Sequence, residues 1–140
     1  MSKYVIETKN LTKQYGTQKS VANLNIHVQK GRIYGLLGRN GAGKTTTMKM
    51  LLGLTQPTSG EVSIWGKPLA ANEKKLLPRI GSLIESPGFY PNLTATENLR
   101  IFAALRGVPN RDAIKNALDL VGLPYKDKKL FSQYSLGMKQ

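Results

Sequence analysis

Residues 38 to 46 read Gly-Arg-Asn-Gly-Ala-Gly-Lys-Thr-Thr, and this stretch decides the fold of the chain. It fits the phosphate-binding pattern G-x-x-x-x-G-K-[ST] at every fixed position. Glycines let consecutive backbone N–H groups point into one concave anion nest, and the N-terminus of a following helix adds partial positive charge. The ammonium group of Lys44 can then reach the β- and γ-phosphates of a nucleotide, and the Thr45 hydroxyl can bind Mg²⁺.

The sequence on either side of this loop predicts the strand and the helix that such a loop connects. Residues 32–37 (RIYGLL) form a short apolar run that is typical of a buried strand. Residues 45–54 place Met48, Leu51 and Leu52 at helical spacing. A plain glycine turn with a solvated lysine is the alternative interpretation. The order of strand, loop and helix favours the nucleotide site over that alternative.

The composition excludes several other classes of protein. The 140 residues suffice for one ordinary domain with a core. No run approaches the roughly 18 consecutive apolar residues of a membrane-spanning helix, and the N-terminus lacks the apolar region of a secretory signal. The chain has no cysteine, so it can form neither a disulfide framework nor a thiolate metal site. These features suit a cytoplasmic protein.

The charge of the chain is strongly basic, with 21 lysines and arginines against 8 acidic residues and a net charge of +13. A balance of this kind is compatible with nucleic acid, an anionic membrane surface or an anionic ligand. The basic residues are scattered along the sequence, and aromatic residues do not interleave with them as in single-strand binders. No nucleic acid is therefore expected as a partner, although a nucleic-acid-binding module stays open as the alternative.

Alternating residues near the N-terminus predict an antiparallel hairpin. Strands are expected over Tyr4–Thr12 and Ser20–Val28, with Leu24, Ile26 and Val28 on one face of the second strand. His27 falls on the opposite, polar face and is predicted to be solvated, with no acidic neighbour in register. It therefore does not qualify as a catalytic or metal-binding histidine.

The rest of the chain changes from strands to helices. The apolar run Ile80–Ile84 predicts another buried strand. Thr94 and Glu97 have the spacing of a capping box and predict a helix that ends at Gly107. A further helix is expected from about Arg111 to Val121, with Ile114, Ala117, Leu118 and Val121 on one apolar stripe.

Two further segments carry candidate binding residues. Tyr15 lies at the turn between the first two strands, where its ring could stack on adenine or pack against its own hairpin. Near the end of the sequence, Ser135 and Gly137 lie where a new helix could begin, and a helix start is a candidate anion site. A plain N-cap serine explains the second pattern equally well.

Taken in order, these segments resemble the ATP-binding subunit of an ABC transporter over the whole chain. Tyr15 corresponds to the adenine-stacking aromatic residue, residues 38–46 to Walker A, and Ser135–Gln140 to the signature motif. The linking sequence GLLGRNGAGKTTTMKMLLGLTQPTSGEV is similar as well. The forms IESP at residues 84–87 and YSLGM at residues 134–138 look closest to exporters of peptide antibiotics of the bacitracin and lantibiotic resistance type.

The resemblance implies ATP and Mg²⁺ as cofactors and assigns roles by position. Lys44 would hold the β- and γ-phosphate oxygens, Thr45 the Mg²⁺ and Thr46 the α-phosphate. In this family, Ser135 and Gly137 would contact the γ-phosphate bound by a second ATP-binding subunit. The implied nucleotide-binding residues are Tyr15, Gly38, Asn40, Gly41, Ala42, Gly43, Lys44, Thr45, Thr46, Ser135 and Gly137.

The resemblance also implies partners and a location. The parent protein would pair with a second copy and with transmembrane subunits, on the cytoplasmic face of the cell membrane. The segment Pro87–Leu93 is where the family pattern places contact with those membrane subunits. Phe89, Tyr90 and Leu93 in this segment could equally pack on the chain's own helices.

Three features depart from the family pattern. Glu85 stands where the family has the Q-loop glutamine; a carboxylate there can still bind Mg²⁺, so Glu85 joins Thr45 as a candidate metal ligand. The signature reads Ser135-Leu136-Gly137-Met138, without one glycine and the glutamine of the family. The sequence ends at Gln140, before the positions where the family has its Walker B strand, catalytic glutamate and switch histidine. No catalytic residue is therefore expected within these 140 residues.

Together these observations predict an α/β fold with a P-loop NTPase (RecA-like) core, an antiparallel β subdomain and the start of a helical subdomain. Residues 1–85 are expected to hold the β subdomain and the Walker A half of the core, and residues 86–140 the start of the helical subdomain. The predicted function is ATP binding and hydrolysis coupled to export through membrane subunits. The alternatives are an ABC-type ATPase outside transport and a non-catalytic nucleotide- or nucleic-acid-binding module.

Overall fold

The structure is a computed structural model that describes residues 3–85, 88–107 and 111–139, with the side chain of residue 111 excepted. The chain divides into two compact units, Met1–Ile84 and Glu85–Gln140. The first unit contains the phosphate-loop sequence, and the second contains the segment that resembles the signature motif.

The first unit is an antiparallel sheet with two helices. Its elements are β1 (Tyr4–Tyr15), β2 (Gln18–Leu24), β3 (His27–Gln29), α1 (Lys44–Leu51), β4 (Ser59–Ile64), β5 (Lys67–Pro68), α2 (Leu69–Leu76) and the 3₁₀ turn Leu77–Arg79. The long strand β1 pairs with β3 through its N-terminal end and with β2 through its C-terminal end. It also pairs with β4, and β5 continues the sheet beyond β4. β1 therefore organises the whole unit.

The core of this unit lies where the sheet meets the two helices. Leu11 of β1, Met50 of α1 and Ile64 of β4 are almost completely buried, because strand alternation and helical spacing bring one apolar face of each element inward. The members of this cluster are Leu11, Val21, Met50, Val62, Ile64, Leu69 and Leu76. The packing fixes α1, and with it the loop that precedes α1.

A close approach between β1 and β4 requires a glycine. Gly60 has φ +85°, and a Cβ at this position would lie 2.3 Å from the carbonyl oxygen of Asn10. Asn10 itself has φ 48°, and the β1–β4 register shifts beside it. Only glycine accommodates both the left-handed backbone and the contact with a neighbouring main chain.

The predicted second strand is interrupted, although its alternation is confirmed. The Thr8 hydroxyl donates to the Leu24 carbonyl at 2.8 Å and accepts a bond from the Ile26 N–H at 2.8 Å. The hydroxyl adds to the main-chain bond from the Thr8 N–H to the Ile26 carbonyl at 3.0 Å. β2 ends at Leu24 and β3 begins at His27. Ile26 is buried and His27 is exposed, as the alternating pattern predicts.

The prediction that His27 has no acidic neighbour in register is wrong. His27 pairs directly with Glu7 across β1 and β3, and its Nε2 lies 3.7 Å from Glu7 Oε1. The shift of register between Tyr4 and Ile6 in β1 brings Glu7 opposite His27, and sequence spacing does not reveal such a shift. The ring of His27 also lies 4.8 Å from that of Tyr4, so the histidine belongs to the sheet surface.

The two buried strands predicted over residues 32–37 and 80–84 are not formed. Both segments lack strand pairing, and Ile33 and Leu37 are 103% and 93% exposed. Leu83 is likewise exposed. An apolar run becomes a buried strand only when neighbouring strands cover it, and the described strands pair elsewhere, around β1. The loop before α1 therefore follows a segment without regular secondary structure.

The second unit is helical. Its elements are α3 (Ala95–Leu105), α4 (Arg111–Leu120), the 3₁₀ turn Phe131–Gln133 and the short helix α5 (Leu136–Lys139). Its core consists of Ala95, Ile114, Leu118, Phe131 and Tyr134. The predicted stripe of this helix is confirmed at Ile114 and Leu118, whereas Ala117 and Val121 are exposed.

The predicted capping box at the start of α3 is confirmed. The Thr94 Oγ1 accepts a bond from the Glu97 N–H at 3.3 Å, and the Glu97 carboxylate accepts bonds from the Thr94 N–H and hydroxyl at 2.8 Å each. The backbone bond from Thr94, followed by the bond from its hydroxyl, lowers the pKa of Glu97, and Arg100 adds a smaller favourable charge. The ionised form of Glu97 therefore stabilises the first turn of α3.

This pKa shift predicts a pH-dependent contribution of Glu97 to stability. Because the pKa is lower in the folded state, the contribution is present above the ordinary glutamate pKa of 4.5 and is lost as the pH falls through the depressed value. We expect Glu97→Gln to lower the midpoint of thermal unfolding at pH 7 and to leave it unchanged at the acidic end of the range. Unfolding curves of both proteins between pH 3 and 7 measure this, and a constant difference across the range would contradict the assignment.

Candidate nucleotide-binding site

A cavity of about 340 Å³ lies in the first unit at the N-terminus of α1. Gly41 and Gly43 have φ of +82° and +85°, so the loop turns through two left-handed positions before the helix begins at Lys44. Such positions favour glycine and bring backbone N–H groups to the concave side of a loop. The residues that line the cavity are Ser20, Asn40, Gly41, Gly43, Lys44, Thr45 and Thr46.

The loop lies directly against strand β2. A Cβ on Gly43 would lie 2.2 Å from the Ser20 carbonyl oxygen and 2.9 Å from a methyl carbon of Val21. The absence of a side chain at Gly43 therefore allows the loop to pack on the sheet. By contrast, a Cβ on Gly41 would meet nothing within 4 Å. The two glycines thus have the same backbone conformation in different surroundings.

The N-terminus of α1 is available to an anion. Gly43 provides no side-chain cap, and the described first turn of the helix holds no acidic residue. The Thr47 hydroxyl donates to the Gly43 carbonyl at 2.9 Å, so it does not cap the N–H groups of the first turn. The partial positive charge of the first-turn N–H groups is therefore not neutralised by the side chains of the helix, which is the arrangement that binds phosphate.

Lys44 closes the loop on itself. Its ammonium group donates to the Gly38 carbonyl at 2.6 Å and to the Arg39 carbonyl at 2.8 Å, while the Ala42 N–H bonds to the Arg39 carbonyl at 3.1 Å. These bonds hold the positive charge beside the cavity that Lys44 lines. A phosphate oxygen is a stronger acceptor for an ammonium group than a neutral carbonyl, because both partners are charged.

Ser20 is a cavity residue that the sequence analysis missed. It belongs to β2, and it lines the cavity because the backbone of Gly43 packs against it. Nothing in the spacing of residues 38–46 indicates which strand covers the loop, so no sequence pattern pointed to this serine. Its position adds a hydroxyl to a cavity otherwise lined by the loop and the first turn of α1.

Tyr15 lies at the end of β1, on the same hairpin as Ser20. It pairs with Gln18, which precedes Ser20 by two residues on β2. Tyr15 is 51% exposed, and the Lys13 ammonium lies 5.1 Å from the centre of its ring. The hairpin therefore presents an exposed aromatic face near the strand that covers the loop, which suits stacking on a base.

The other candidate residues lie in the second unit. Glu85 is exposed and has φ 64°, an uncommon conformation for a residue other than glycine and one often found at functional positions. The Ser135 Oγ accepts a bond from the Met138 N–H at 3.3 Å, which is the geometry of an N-cap for α5. A Cβ on Gly137 would meet nothing within 4 Å, so this glycine is open to an approaching group.

The metal ligands named from the sequence belong to different units, Thr45 to the first and Glu85 to the second. Within residues 3–85, 88–107 and 111–139, no group of three or more histidine, cysteine or acidic residues has the arrangement of a metal site. Magnesium bound with a nucleotide needs few protein ligands, because phosphates and waters supply most of its oxygens. The Thr45 hydroxyl, which lines the cavity, fits that requirement.

These features define a P-loop nucleotide-binding protein. Residues 21–140 match the family model described as ABC transporter. The chain therefore belongs to the ABC transporter family.

Related sequences and structures agree with this assignment. The chain is 57% identical over 136 residues to the bacitracin transport ATP-binding protein BcrA of Bacillus licheniformis, a match covering 97% of this chain and 44% of BcrA. It is 40% identical over 136 residues to the lantibiotic transport ATP-binding protein SrtF of Streptococcus pyogenes, covering 97% of this chain and 58% of SrtF. The chain thus spans about half the length of these relatives.

Solved structures establish the fold. An ATP-binding subunit of an ABC transporter superposes with a TM-score of 0.78 at 30% identity, over 96% of this chain and 57% of that one. A dimeric ATP-binding cassette in a post-hydrolysis state with bound ADP and Pi superposes with a TM-score of 0.75 at 24% identity, over 96% of this chain and 64% of that one. The fold is therefore the α/β P-loop NTPase fold predicted from the sequence. Along the described part of the chain, no helix is both long enough and apolar enough to span a bilayer.

Proposed function

We propose that the chain belongs to an ATP-binding subunit that couples ATP binding and hydrolysis to export through membrane subunits. The observation that carries this proposal is the cavity at the N-terminus of α1, where Lys44 and the first-turn backbone face a space without a protein anion. The family assignment adds the transport context.

Each cavity residue has a role that follows from its chemistry. Backbone N–H groups of residues 40–46 hold the phosphates, the Lys44 ammonium binds β- and γ-phosphate oxygens, and the Thr45 hydroxyl binds Mg²⁺. Thr46 reaches the α-phosphate, and Tyr15 stacks on adenine beside Ser20. Bound Mg²⁺ would supply positive charge that offsets the negative charge of the phosphates. The residues of the chain bind the phosphates and fix their orientation.

The partners and the substrate follow from the relatives. BcrA and SrtF are named for bacitracin and lantibiotic transport, so we assign export of a peptide antibiotic to the complete protein. A second copy would use Ser135 and Gly137 to contact the γ-phosphate held by the first. Glu85 stays a candidate ligand of Mg²⁺ on chemical grounds. The assembly would sit on the cytoplasmic face of the membrane, bound to transmembrane subunits.

The exposed apolar segments also fit this proposal. Residues 32–37 and 80–84 have the composition of buried strands and no strand partner among the described residues. The match covers 44% of BcrA, so the relative has many residues outside the matched part. The unit boundaries that we propose are residues 1–85 for the β subdomain with the Walker A half, and 86–140 for the start of the helical subdomain.

We expect the 140-residue chain to bind ATP without appreciable hydrolysis. The described residues that line the cavity include no aspartate, glutamate or histidine, so none of them can activate the attacking water. Phosphate release in the presence of Mg²⁺ should equal that of a Lys44→Ala control. ATP turnover well above this control would show that a general base lies within the 140 residues.

The transport function is tested in cells that lack the protein. Expression of the complete protein together with its membrane subunits should raise resistance to bacitracin, and Lys44→Ala should abolish the increase. Equal sensitivity of cells with and without the intact transporter, across bacitracin and lantibiotics, would contradict the proposed substrate class. Failure of the wild-type protein to bind ATP would contradict the proposal as a whole.

A further inference from the structure

The positive charge of the chain lies mostly in the first unit. Residues 1–84 hold 13 of the 21 basic residues and 3 of the 8 acidic residues. Among the residues that line the nucleotide cavity, Lys44 alone is basic. A charge of this size attracts anionic partners other than a nucleotide, and its distribution on the surface decides which partner fits.

Strand pairing brings two of these basic residues together at one end of the sheet. β1 begins at Tyr4, and Tyr4 pairs with Gln29, the last residue of β3. Lys3 precedes Tyr4 and Lys30 follows Gln29, so the two lysines lie on neighbouring strands at the same end. Both are exposed. Like charges at neighbouring positions of a sheet repel each other, and a bound anion relieves that repulsion.

The same end of the sheet carries two further cations. The Trp65 N–H, directly after β4, bonds to the Val5 carbonyl at 2.9 Å and so places residue 65 beside the start of β1. Lys67 follows two residues later and is exposed. The guanidinium carbon of Arg79 lies 4.3 Å from the centre of the Trp65 ring. We call this surface the basic sheet end, and it consists of Lys3, Lys30, Lys67 and Arg79.

Among the described residues, no acidic side chain neutralises the basic sheet end. None of its cations has a carboxylate within 4.0 Å in the part of the chain that the structure describes. The acidic residues of the first unit have other neighbours, since Glu7 lies 4.0 Å from Lys9 and Glu61 pairs with Lys9 in register. Glu73 accepts a bond from the Gln56 amide at 3.4 Å. The basic sheet end is therefore a positive surface without internal compensation.

Two aromatic side chains lie among these cations, and both are half-buried. The Lys3 ammonium lies 5.6 Å from the ring centre of Tyr4, whose ring also meets that of His27. Trp65 packs against the core and carries the Arg79 guanidinium over its ring. Rings covered in this way are poor platforms for a nucleobase, which needs an open aromatic face. Tryptophan and tyrosine beside lysine and arginine are instead typical of surfaces at the headgroup level of a membrane.

We propose that the basic sheet end binds a membrane surface that contains anionic phospholipids. The headgroup phosphates of such lipids form a layer of negative charge, which complements cations displayed together at one end of a sheet. Clusters of four or more lysines and arginines are sufficient for this binding, because each one near the surface adds to the attraction. The basic sheet end lies outside the nucleotide cavity, so it gives the subunit a contact with lipid in addition to the proposed membrane subunits.

The test uses the complete ATP-binding subunit, purified without membrane subunits, and lipid vesicles that are collected by sedimentation. Vesicles of equal parts phosphatidylglycerol and phosphatidylcholine should bind the protein, and vesicles of phosphatidylcholine alone should not. Binding should fall steeply as the salt is raised to about 1 M, where the Debye length shrinks to about 3 Å. Lys67→Ala should weaken binding roughly fivefold, and the triple variant Lys3→Ala, Lys30→Ala and Lys67→Ala roughly 100-fold.

A second triple variant, Lys9→Ala, Lys19→Ala and Lys49→Ala, is the matched control. It removes the same charge from the same unit, away from the basic sheet end. Lys9 lies in the middle of β1, and Lys19 pairs with Gln14 near the opposite end of that strand. Lys49 lies in the last turn of α1. The control should bind anionic vesicles within about twofold of the wild type, because screening limits the reach of distant charges. Both triple variants should bind ATP as the wild type does, since none of these lysines lines the cavity.

The possible results separate this inference from the proposed function. Failure of the wild-type protein to bind anionic vesicles, or equal losses in the two triple variants, would overturn the role of the basic sheet end. Binding to duplex DNA or RNA that is tighter than binding to anionic vesicles, and is lost in the first triple variant, would assign the surface to nucleic acid instead. ATP binding and export would stand in each of these cases, since the vesicle experiment involves neither.

Discussion

Replacement of Lys44 by alanine is expected to weaken the binding of Mg-ATP by roughly 10- to 100-fold, since one hydrogen bond to a charged group contributes about 1.5–3 kcal/mol. Lys44 is the charged side chain among those that line the cavity, so no neighbour in the lining replaces its ammonium group. The effect should be larger for ATP than for AMP, because the side chain is assigned to the β- and γ-phosphates. Titration with a fluorescent ATP analogue measures the change.

Lys49 is a suitable control for this experiment. It lies in the last turn of the same helix and is absent from the cavity lining, so Lys49→Ala changes the net charge by the same amount. We expect Lys49→Ala to bind ATP as the wild-type protein does. Lys44→Ala also removes two bonds to loop carbonyls, and unfolding curves should be recorded alongside. Equal affinities of Lys44→Ala and wild type would remove Lys44 from the site.

Replacement of Gly43 by alanine should have the largest effect on stability and should abolish nucleotide binding. The new Cβ would lie 2.2 Å from the Ser20 carbonyl oxygen, which is backbone and cannot move without displacing β2. The left-handed conformation alone costs a residue with a Cβ about 1–2 kcal/mol. With the contact added, we expect a loss of roughly 3–5 kcal/mol in the free energy of unfolding, within the range of severe backbone lesions.

Gly41→Ala separates the two parts of that effect. Gly41 has nearly the same φ as Gly43, but its Cβ would meet no atom within 4 Å. The variant should therefore show only the conformational cost of about 1–2 kcal/mol. Denaturant unfolding of both variants measures the difference. Similar losses for the two variants would mean that the loop does not pack against Ser20 as described.

The sequence predicted the local features of the chain well. The phosphate loop followed by a helix, the capping box of Thr94 and Glu97 and the buried stripe of α4 are each determined by residues a few positions apart. Local backbone geometry and helical spacing are sufficient to specify such features. The same holds for the alternation that buries Ile26 and exposes His27.

Features that depend on distant partners could not be predicted in this way. The composition of residues 32–37 predicts a buried strand but does not indicate which other strands would cover it. Ile33 and Leu37 of this run are exposed in the structure. The pairing of His27 with Glu7 depends on a register shift in β1, and the position of Ser20 depends on the approach of Gly43. The side chain of Asn98 in α3 accepts a bond from the Tyr90 N–H at 2.7 Å and donates to the Tyr90 carbonyl at 3.0 Å, and sequence alone gives no sign of these hydrogen bonds.

A structure of the protein with Mg²⁺ and a non-hydrolysable ATP analogue would show whether the loop at residues 38–46 holds the nucleotide. We expect the β-phosphate within hydrogen-bonding distance, about 3 Å, of backbone nitrogens in residues 41–45, and the Lys44 ammonium bonded to phosphate oxygen. Tyr15 should stack on the adenine. A nucleotide bound elsewhere, with Lys44 still bonded only to the carbonyls of residues 38 and 39, would contradict the account.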